Sequence, residues 1–272
     1  MSKQFTRAQL EPFVAAGYIK VERHPEADLY VYNYTPKTQY DAHWTPETRA
    51  CRGLILDGTG AIAARPFEKF FNLAEHADQL PKEPFEVYEK LDGSLGISYW
   101  LEGRPYLATR GSFVSEQARR GTRLLHERYG HVRLDPSLTY LFEVIYPENR
   151  IVVDYADRED LVLLAIVETS TGREVPLVDL GFPVAQRHDG LTDLESLTSL
   201  VGTNREGFVV RFASGLRVKV KLDEYVRLHR LLTGLSPKHV WELRRDGANL
   251  DAVLDRVPDE FYAWVREVAA DL

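Results

Sequence analysis

Two periods divide this chain. Up to about residue 222 the apolar positions recur mostly every second residue, the period of strands. Beyond it they recur every three or four, the period of helices. Residues 5–17 predict a short first helix ending at Gly17. Ile19 to Tyr40 is aromatic and extended. "RACRGLILDGTGAIAARPF" reads as strand, Asp-Gly turn, strand, which predicts a hairpin. "EKFFNLAEHADQL" reads as a loop or short helix closed by Pro81 and Pro84. "VYEKLDGSLGISYW", Val87 to Trp100, predicts a second hairpin around Asp92-Gly93, and "RPYLATRG" adds a strand. Ser115 can cap a helix that stops by Gly130. "TYLFEVIY", "DLVLLAIVE", "EGFVVRFA" and "LRVKVKL" are β-rich runs, the last two separated by Ser214-Gly215. "DEYVRLHRLLTG", "SPKHVWELRRDG" and "PDEFYAWVREVAADL" predict three helices. The pattern divides the chain into a mixed, largely antiparallel body over 1–222 and a small helical domain over 223–272.

Composition narrows the class. The 272 residues are 44% hydrophobic and 28% charged, the balance of a globular protein. The longest apolar run, "LVLLAIV", is too short to cross a bilayer. The first residues lack the apolar centre of a signal peptide, and the single cysteine, Cys51, excludes an internal disulfide; a cytoplasmic monomer is the expectation. A net charge of −7 excludes a global cationic field for nucleic acid. It leaves room for a local one: Arg110 to Arg133 carries six Arg against two Glu. An ordinary solvated helix face competes with a phosphate grip for that segment, with Arg119, Arg120 and Arg123 as its candidate RNA contacts.

Lysine usage points to chemistry. Of 34 basic residues only 9 are Lys, so arginine supplies most of the general positive charge. Arginine stays protonated, whereas a lysine can become an amine nucleophile. Lys69, Lys90, Lys219 and Lys221 all lie in strand or turn segments. In "RVKVK", Arg217, Lys219 and Lys221 share one face, and Val218 and Val220 the other. Glu143, in "LFEVI", interrupts an uncharged run and would need a partner if buried.

Taken in order, K-x-D-G-S at Lys90, F-E at Glu143, E-G-F-V at Glu206 and K-x-K at Lys219 resemble the covalent nucleotidyltransferases, the polynucleotide ligases and mRNA capping enzymes. "CRGLILD", "ARPFEKFFNLAE", "GSFVSEQA", "NRIVV" and "KVKLDEYVRLH" narrow the resemblance to the ATP-dependent RNA ligase 1 family of T-even phages, over residues 30–229. The resemblance implies an α+β nucleotidyltransferase fold of antiparallel β-sheets with flanking helices, and ATP and Mg²⁺ or Mn²⁺ as cofactors. It implies that Lys90 becomes adenylated. Arg52, Lys69 and Tyr32 would line the triphosphate, Arg110 and Glu143 the ribose, with Glu89, Asp92 and Gly93 beside them. Glu143 and Glu206 would hold the metal through water, and Lys219 and Lys221 the α-phosphate. The implied reaction joins RNA 5′-phosphate and 3′-hydroxyl ends, with a separate end-healing kinase/phosphatase as a partner. Specificity for nicked tRNA is not implied, because only 51 residues follow Lys221, far fewer than the helical domain of the phage enzyme.

The charges suit this chemistry. Deprotonating an ordinary lysine at pH 7 costs roughly 4–5 kcal/mol. Neighbouring cations disfavour the ammonium and also stabilise charge on a departing pyrophosphate. A DNA ligase, a GTP-using capping enzyme and a non-catalytic RNA-end-binding protein are the alternatives. The first two normally carry an OB domain, which the helical texture after Lys221 does not match.

Overall fold

The computed structural model describes residues 5–76, 80–190 and 204–232, with isolated positions 194 and 197. Fourteen strands fall in chain order: β1 (Ile19–Arg23), β2 (Leu29–Tyr34), β3 (Arg52–Asp57), β4 (Ile62–Ala64), β5 (Phe71–Asn72), β6 (Phe85–Lys90), β7 (Ser94–Leu101), β8 (Arg104–Ala108), β9 (Leu138–Ile145), β10 (Asp160–Glu168), β11 (Glu174–Val175), β12 (Arg187–His188), β13 (Gly207–Phe212) and β14 (Arg217–Lys221). The helices are α1 (Arg7–Ala15), α2 (Pro36–Tyr40), α3 (Pro46–Ala50), α4 (Glu116–Glu127) and α5 (Asp223–Leu232). Of the three predicted C-terminal helices, α5 is the first; the other two lie outside the described residues.

The strands make three sheets, ordered β1-β2-β3-β4, β11-β10-β9-β7-β8 and β12-β6-β13-β14-β5. All named pairings are antiparallel except β14 with β5. α1 covers the first sheet with Phe5 and Leu10 over Ile19, Leu54 and Leu56. That sheet packs on the second through Val31, Ile55, Ile97, Tyr99 and Leu141. The second sheet's far face takes Leu124 and Leu125 of α4 onto Phe142 and Val144. Ser115 Oγ caps α4 by accepting from the Ala118 N–H at 3.2 Å, as its sequence predicts. The third sheet buries Val87, Val210, Val218 and Val220 with Tyr225 of α5. Each of its strands has one apolar face in that core, so the alternate residues face out of it.

The turn after Lys90 corrects the hairpin expectation. β6 pairs with β12 and β13, whereas β7 pairs with β8 and β9. Leu91 to Gly93 therefore carry the chain from one sheet to another. The local turn signal is real, but partners distant in sequence outcompete a β6–β7 pairing. The Asp57-Gly58 and Ser214-Gly215 turns do join paired strands.

Candidate active site

A cleft of about 1090 Å³ is lined by residues of all three sheets. Lys90, at the end of β6, stands in it. Register puts its neighbours there: Gly207 pairs with Lys90 on one side and with Lys221 on the other. Glu206 immediately precedes Gly207 and is only 4% exposed. Its carboxylate reaches both cations, Oε2 lying 2.8 Å from Lys90 Nζ and Oε1 3.3 Å from Lys221 Nζ. Gly207 is required there, since a Cβ would stand 2.0 Å from the Val220 carbonyl oxygen.

The loop after Lys90 has its polar groups engaged. Asp92 Oδ2 accepts from the Val152 and Val153 N–H groups, each at 2.8 Å. Asp92 Oδ1 accepts from Tyr225 Oη at 2.8 Å, and the Asp92 N–H donates to Tyr155 Oη at 2.8 Å. The Gly93 N–H donates to Glu143 Oε1 at 2.9 Å. A Cβ on Gly93 would lie 2.7 Å from the Val144 oxygen and 3.1 Å from Glu143 Cγ, so the K-x-D-G glycine lets β9 bring its carboxylate under the loop. Burial pushes the Glu143 carboxyl up to about 7. Lys90 opposes that shift, the negative charge of Glu206 adds to it, and the Gly93 N–H and Arg52 oppose it.

A second cluster of cations lines the same cleft. Lys69 is buried among three rings, its Nζ 5.3 Å from Trp44 and Phe71 and 5.7 Å from Tyr34. Arg52 lies 5.5 Å from Phe70. Arg110 donates to Tyr34 Oη at 2.9 Å. Glu89 and Lys219 line the cleft as well. Arg52, Lys69, Glu89, Lys90, Asp92, Gly93, Arg110, Glu143, Glu206, Lys219 and Lys221 are thus brought together from three sheets.

Tyr32 is the exception. It packs into the α1 core with Leu10, Cys51 and Leu54, where Arg7 hydrogen-bonds to it. The register between β2 and β3 shifts after Tyr32, where Asn33 pairs with Arg52 and Gly53 is skipped, and Asn33 and Tyr34 line the cleft instead. The resemblance implied Tyr32; alternation with Tyr30 puts it on the α1 side. Arg119, Arg120 and Arg123 do not line the cleft. Arg120 is paired with Glu159 and stacks near Tyr146; Arg119 and Arg123 are exposed on α4. Sequence reasoning passed over Tyr225, Tyr155 and Tyr34. The spacing of Tyr225, four residues after Lys221 and one turn into a helix, was the available signal.

A family profile described as RNA ligase, of the T4 RNA ligase 1 type, matches residues 50–179. A candidate RNA ligase of Thermovibrio ammonificans is 31% identical over 245 residues, covering 82% of this chain and 63% of that protein. A candidate bifunctional polynucleotide kinase/RNA ligase of Autographa californica nuclear polyhedrosis virus is 29% identical, covering 78% of this chain and 35% of that protein. The chain thus spans less than two thirds of each of these two relatives. The RNA ligase of Rhodothermus phage RM378 is 22% identical over 90% of this chain and 74% of its own length. Among solved structures, an archaeal ATP-dependent RNA ligase superposes with a TM-score of 0.55 at 16% identity, over 97% of this chain and 74% of that one. A candidate ATP-dependent DNA ligase of Aquifex aeolicus gives the same TM-score at 14% identity, over 97% and 70%. Those two likenesses establish the ligase adenylation fold, which RNA and DNA ligases share. In sequence the chain is similar to RNA ligases, its residues 50–179 matching the RNA ligase family profile of the T4 RNA ligase 1 type.

Proposed function

We propose that this protein is an ATP-dependent RNA ligase acting through a lysyl-AMP on Lys90. The observation that carries the reading is the convergence of Lys90 and Lys221 on the one buried carboxylate of Glu206. A surface lysine needs no such setting. A nucleophilic one does, because its amine must be aimed and its proton must have somewhere to go. Glu206 Oε2 is within hydrogen-bond reach of Nζ for both purposes.

In the first step the Nζ lone pair attacks the α-phosphorus of ATP, the bond to the β-phosphate oxygen breaks, and pyrophosphate leaves. Lys219 and Lys221 face the position where negative charge builds, Arg52 and Lys69 receive the departing phosphates, and Arg110 holds the ribose. In the second step an RNA 5′-phosphate oxygen attacks the same phosphorus and returns the amine to Lys90. In the third the 3′-hydroxyl of the adjoining strand attacks that 5′-phosphate and AMP departs. Ends of this kind would be prepared by a separate kinase/phosphatase. The union of kinase and ligase in the baculovirus relative's description supports that pairing.

Burial, with the charge of Glu206 adding to it, raises the proton affinity of Glu143, and two carboxylates in one cleft are the donor set of a hydrated divalent cation. Among the described residues no group of three or more His, Cys, Asp or Glu could hold a metal directly. Glu143 and Glu206 would therefore hold Mg²⁺ or Mn²⁺ through water, and the ion would neutralise phosphate charge. Among the described residues no helix is long and apolar enough to cross a membrane.

Incubation with α-labelled ATP and a denaturing gel tests the reading. Wild type should carry the label covalently, Lys90→Ala and Lys90→Arg should not, and labelled GTP should not substitute. Label retained by Lys90→Ala would place the nucleophile elsewhere.

A further inference from the structure

Tyr225 connects α5 to the reacting lysine by two routes. Its hydroxyl donates to Asp92 Oδ1 at 2.8 Å. Its ring lies 5.3 Å from Lys221 Nζ, whose ammonium also meets Glu206. The residue is only 3% exposed, so neither contact is exchanged for water. Asp92 is in turn the anchor of the loop that begins at Lys90. Its other oxygen takes two backbone N–H groups of the 152–153 segment, and its own N–H meets Tyr155. One side chain of a helix outside the three sheets therefore touches both the anchor of the Lys90 loop and an α-phosphate-side cation.

From this geometry we infer that Tyr225 is a positioning residue for adenylation, and that α5 is an integral part of the active site. The inference rests on the reading of Lys90 as the adenylated residue. The hydroxyl completes the shell of a buried carboxylate, which otherwise keeps an unanswered oxygen next to the nucleophile's loop. The ring faces Lys221, where a π-face favours the charged ammonium. A general packing role would make Tyr225→Phe nearly silent, because the ring and its core contacts remain.

The test is single-turnover adenylation of the full chain with labelled ATP. Tyr225→Phe should lower the rate at saturating ATP roughly 10- to 100-fold, the size of one orphaned bond at a buried carboxylate. The ATP concentration giving half-maximal rate should stay within about twofold. Tyr225→Leu, which also loses the ring, should fall further. In an Asp92→Ala background, Tyr225→Phe should add less than twofold, because the hydroxyl acts through Asp92. A wild-type rate for Tyr225→Phe overturns the inference. So does a loss of equal size in the Asp92→Ala background, or a loss that appears only as lowered thermal stability and weaker ATP binding. If wild type itself takes no label, the ligase reading fails; if wild type labels and Tyr225→Phe matches it, only the present inference fails.

Discussion

Lys90 and Glu206 are held 2.8 Å apart by backbone register. Lys90 pairs with Gly207 across β6 and β13, and Glu206 is the residue next to Gly207. Because the same glycine pairs with Lys221 on β14, one carboxylate serves two ammonium groups without a long side chain having to search for its partner. Glu206→Gln keeps the shape and removes the charge, leaving two cations facing each other in a partly buried site. Adenylation should fall about 100-fold, equivalent to about 2.7 kcal/mol in the barrier. A melting curve on the same sample should show a folded protein. A near-wild-type rate would remove Glu206 from the reaction.

The two glycines of the site should behave differently from glycines in ordinary turns. Gly207→Ala brings a Cβ to 2.0 Å from the Val220 oxygen and 2.9 Å from Lys221 Cα, both backbone atoms, so β13 and β14 must separate. The expected cost is about 2–4 kcal/mol, a fall in melting temperature of roughly 4–12 °C, with adenylation lost. Gly93→Ala meets one backbone oxygen at 2.7 Å and the flexible Glu143 side chain. It should lose less stability than Gly207→Ala, whose Cβ meets backbone at 2.0 Å, and still adenylate poorly, because both the Val144 carbonyl and the Glu143 side chain have to give. Gly215→Ala, with open space around its Cβ, is the control for backbone conformation without crowding. Differential scanning calorimetry beside the labelling assay separates the three.

What the sequence disclosed and what it hid follow from the range of the interactions involved. Alternation along a strand is local, so β3 with β4, β9, β10, and β13 with β14 were legible, as were the cap at Ser115 and the order of the charged motifs. Partner choice between strands is not local. Asp92-Gly93 has the residues of a hairpin turn, yet Lys90 pairs with Gly207, 117 positions on, and Ser94 with Val144, 50 positions on. The register shift after Tyr32, where β3 passes over Gly53, leaves no mark on the alternation of "LYVYNY", so the sequence does not tell the core Tyr32 from the cleft-lining Tyr34. Tyr225 reads in the sequence as a core residue of an amphipathic helix, and it is one; its hydroxyl partner, 133 positions earlier, could only come from the fold.

Metal removal gives a test independent of any substitution. Glu143 and Glu206 crowd one another beside Lys90, and a divalent cation held through water would relieve them. EDTA should stop Lys90 adenylation, and either Mg²⁺ or Mn²⁺ should restore it. Glu143→Gln should raise the metal concentration needed for half-maximal rate. Full labelling in EDTA would take both glutamates out of metal binding.

The basic face of α4 provides the last test, with the structure sharpening what the charge count suggested. Arg120 is already paired with Glu159 and stacked near Tyr146, so its truncation should disturb local packing more than RNA. Arg119 and Arg123 are exposed, four residues apart on one helix face, and opposite the buried Ala118, Leu124 and Leu125. If α4 grips the RNA backbone, Arg119→Ala/Arg123→Ala should leave Lys90 adenylation untouched, because these residues do not line the cleft that holds Lys90. Sealing of an RNA already adenylated at its 5′ end bypasses the first step and isolates the effect. There the double variant should bind more weakly, and the slope of log affinity against log salt should flatten by about 1.4–1.8 for two lost phosphate contacts. Sealing at wild-type rates across the whole salt titration would make this helix a solvated face, and the RNA contacts would then have to be sought on another surface.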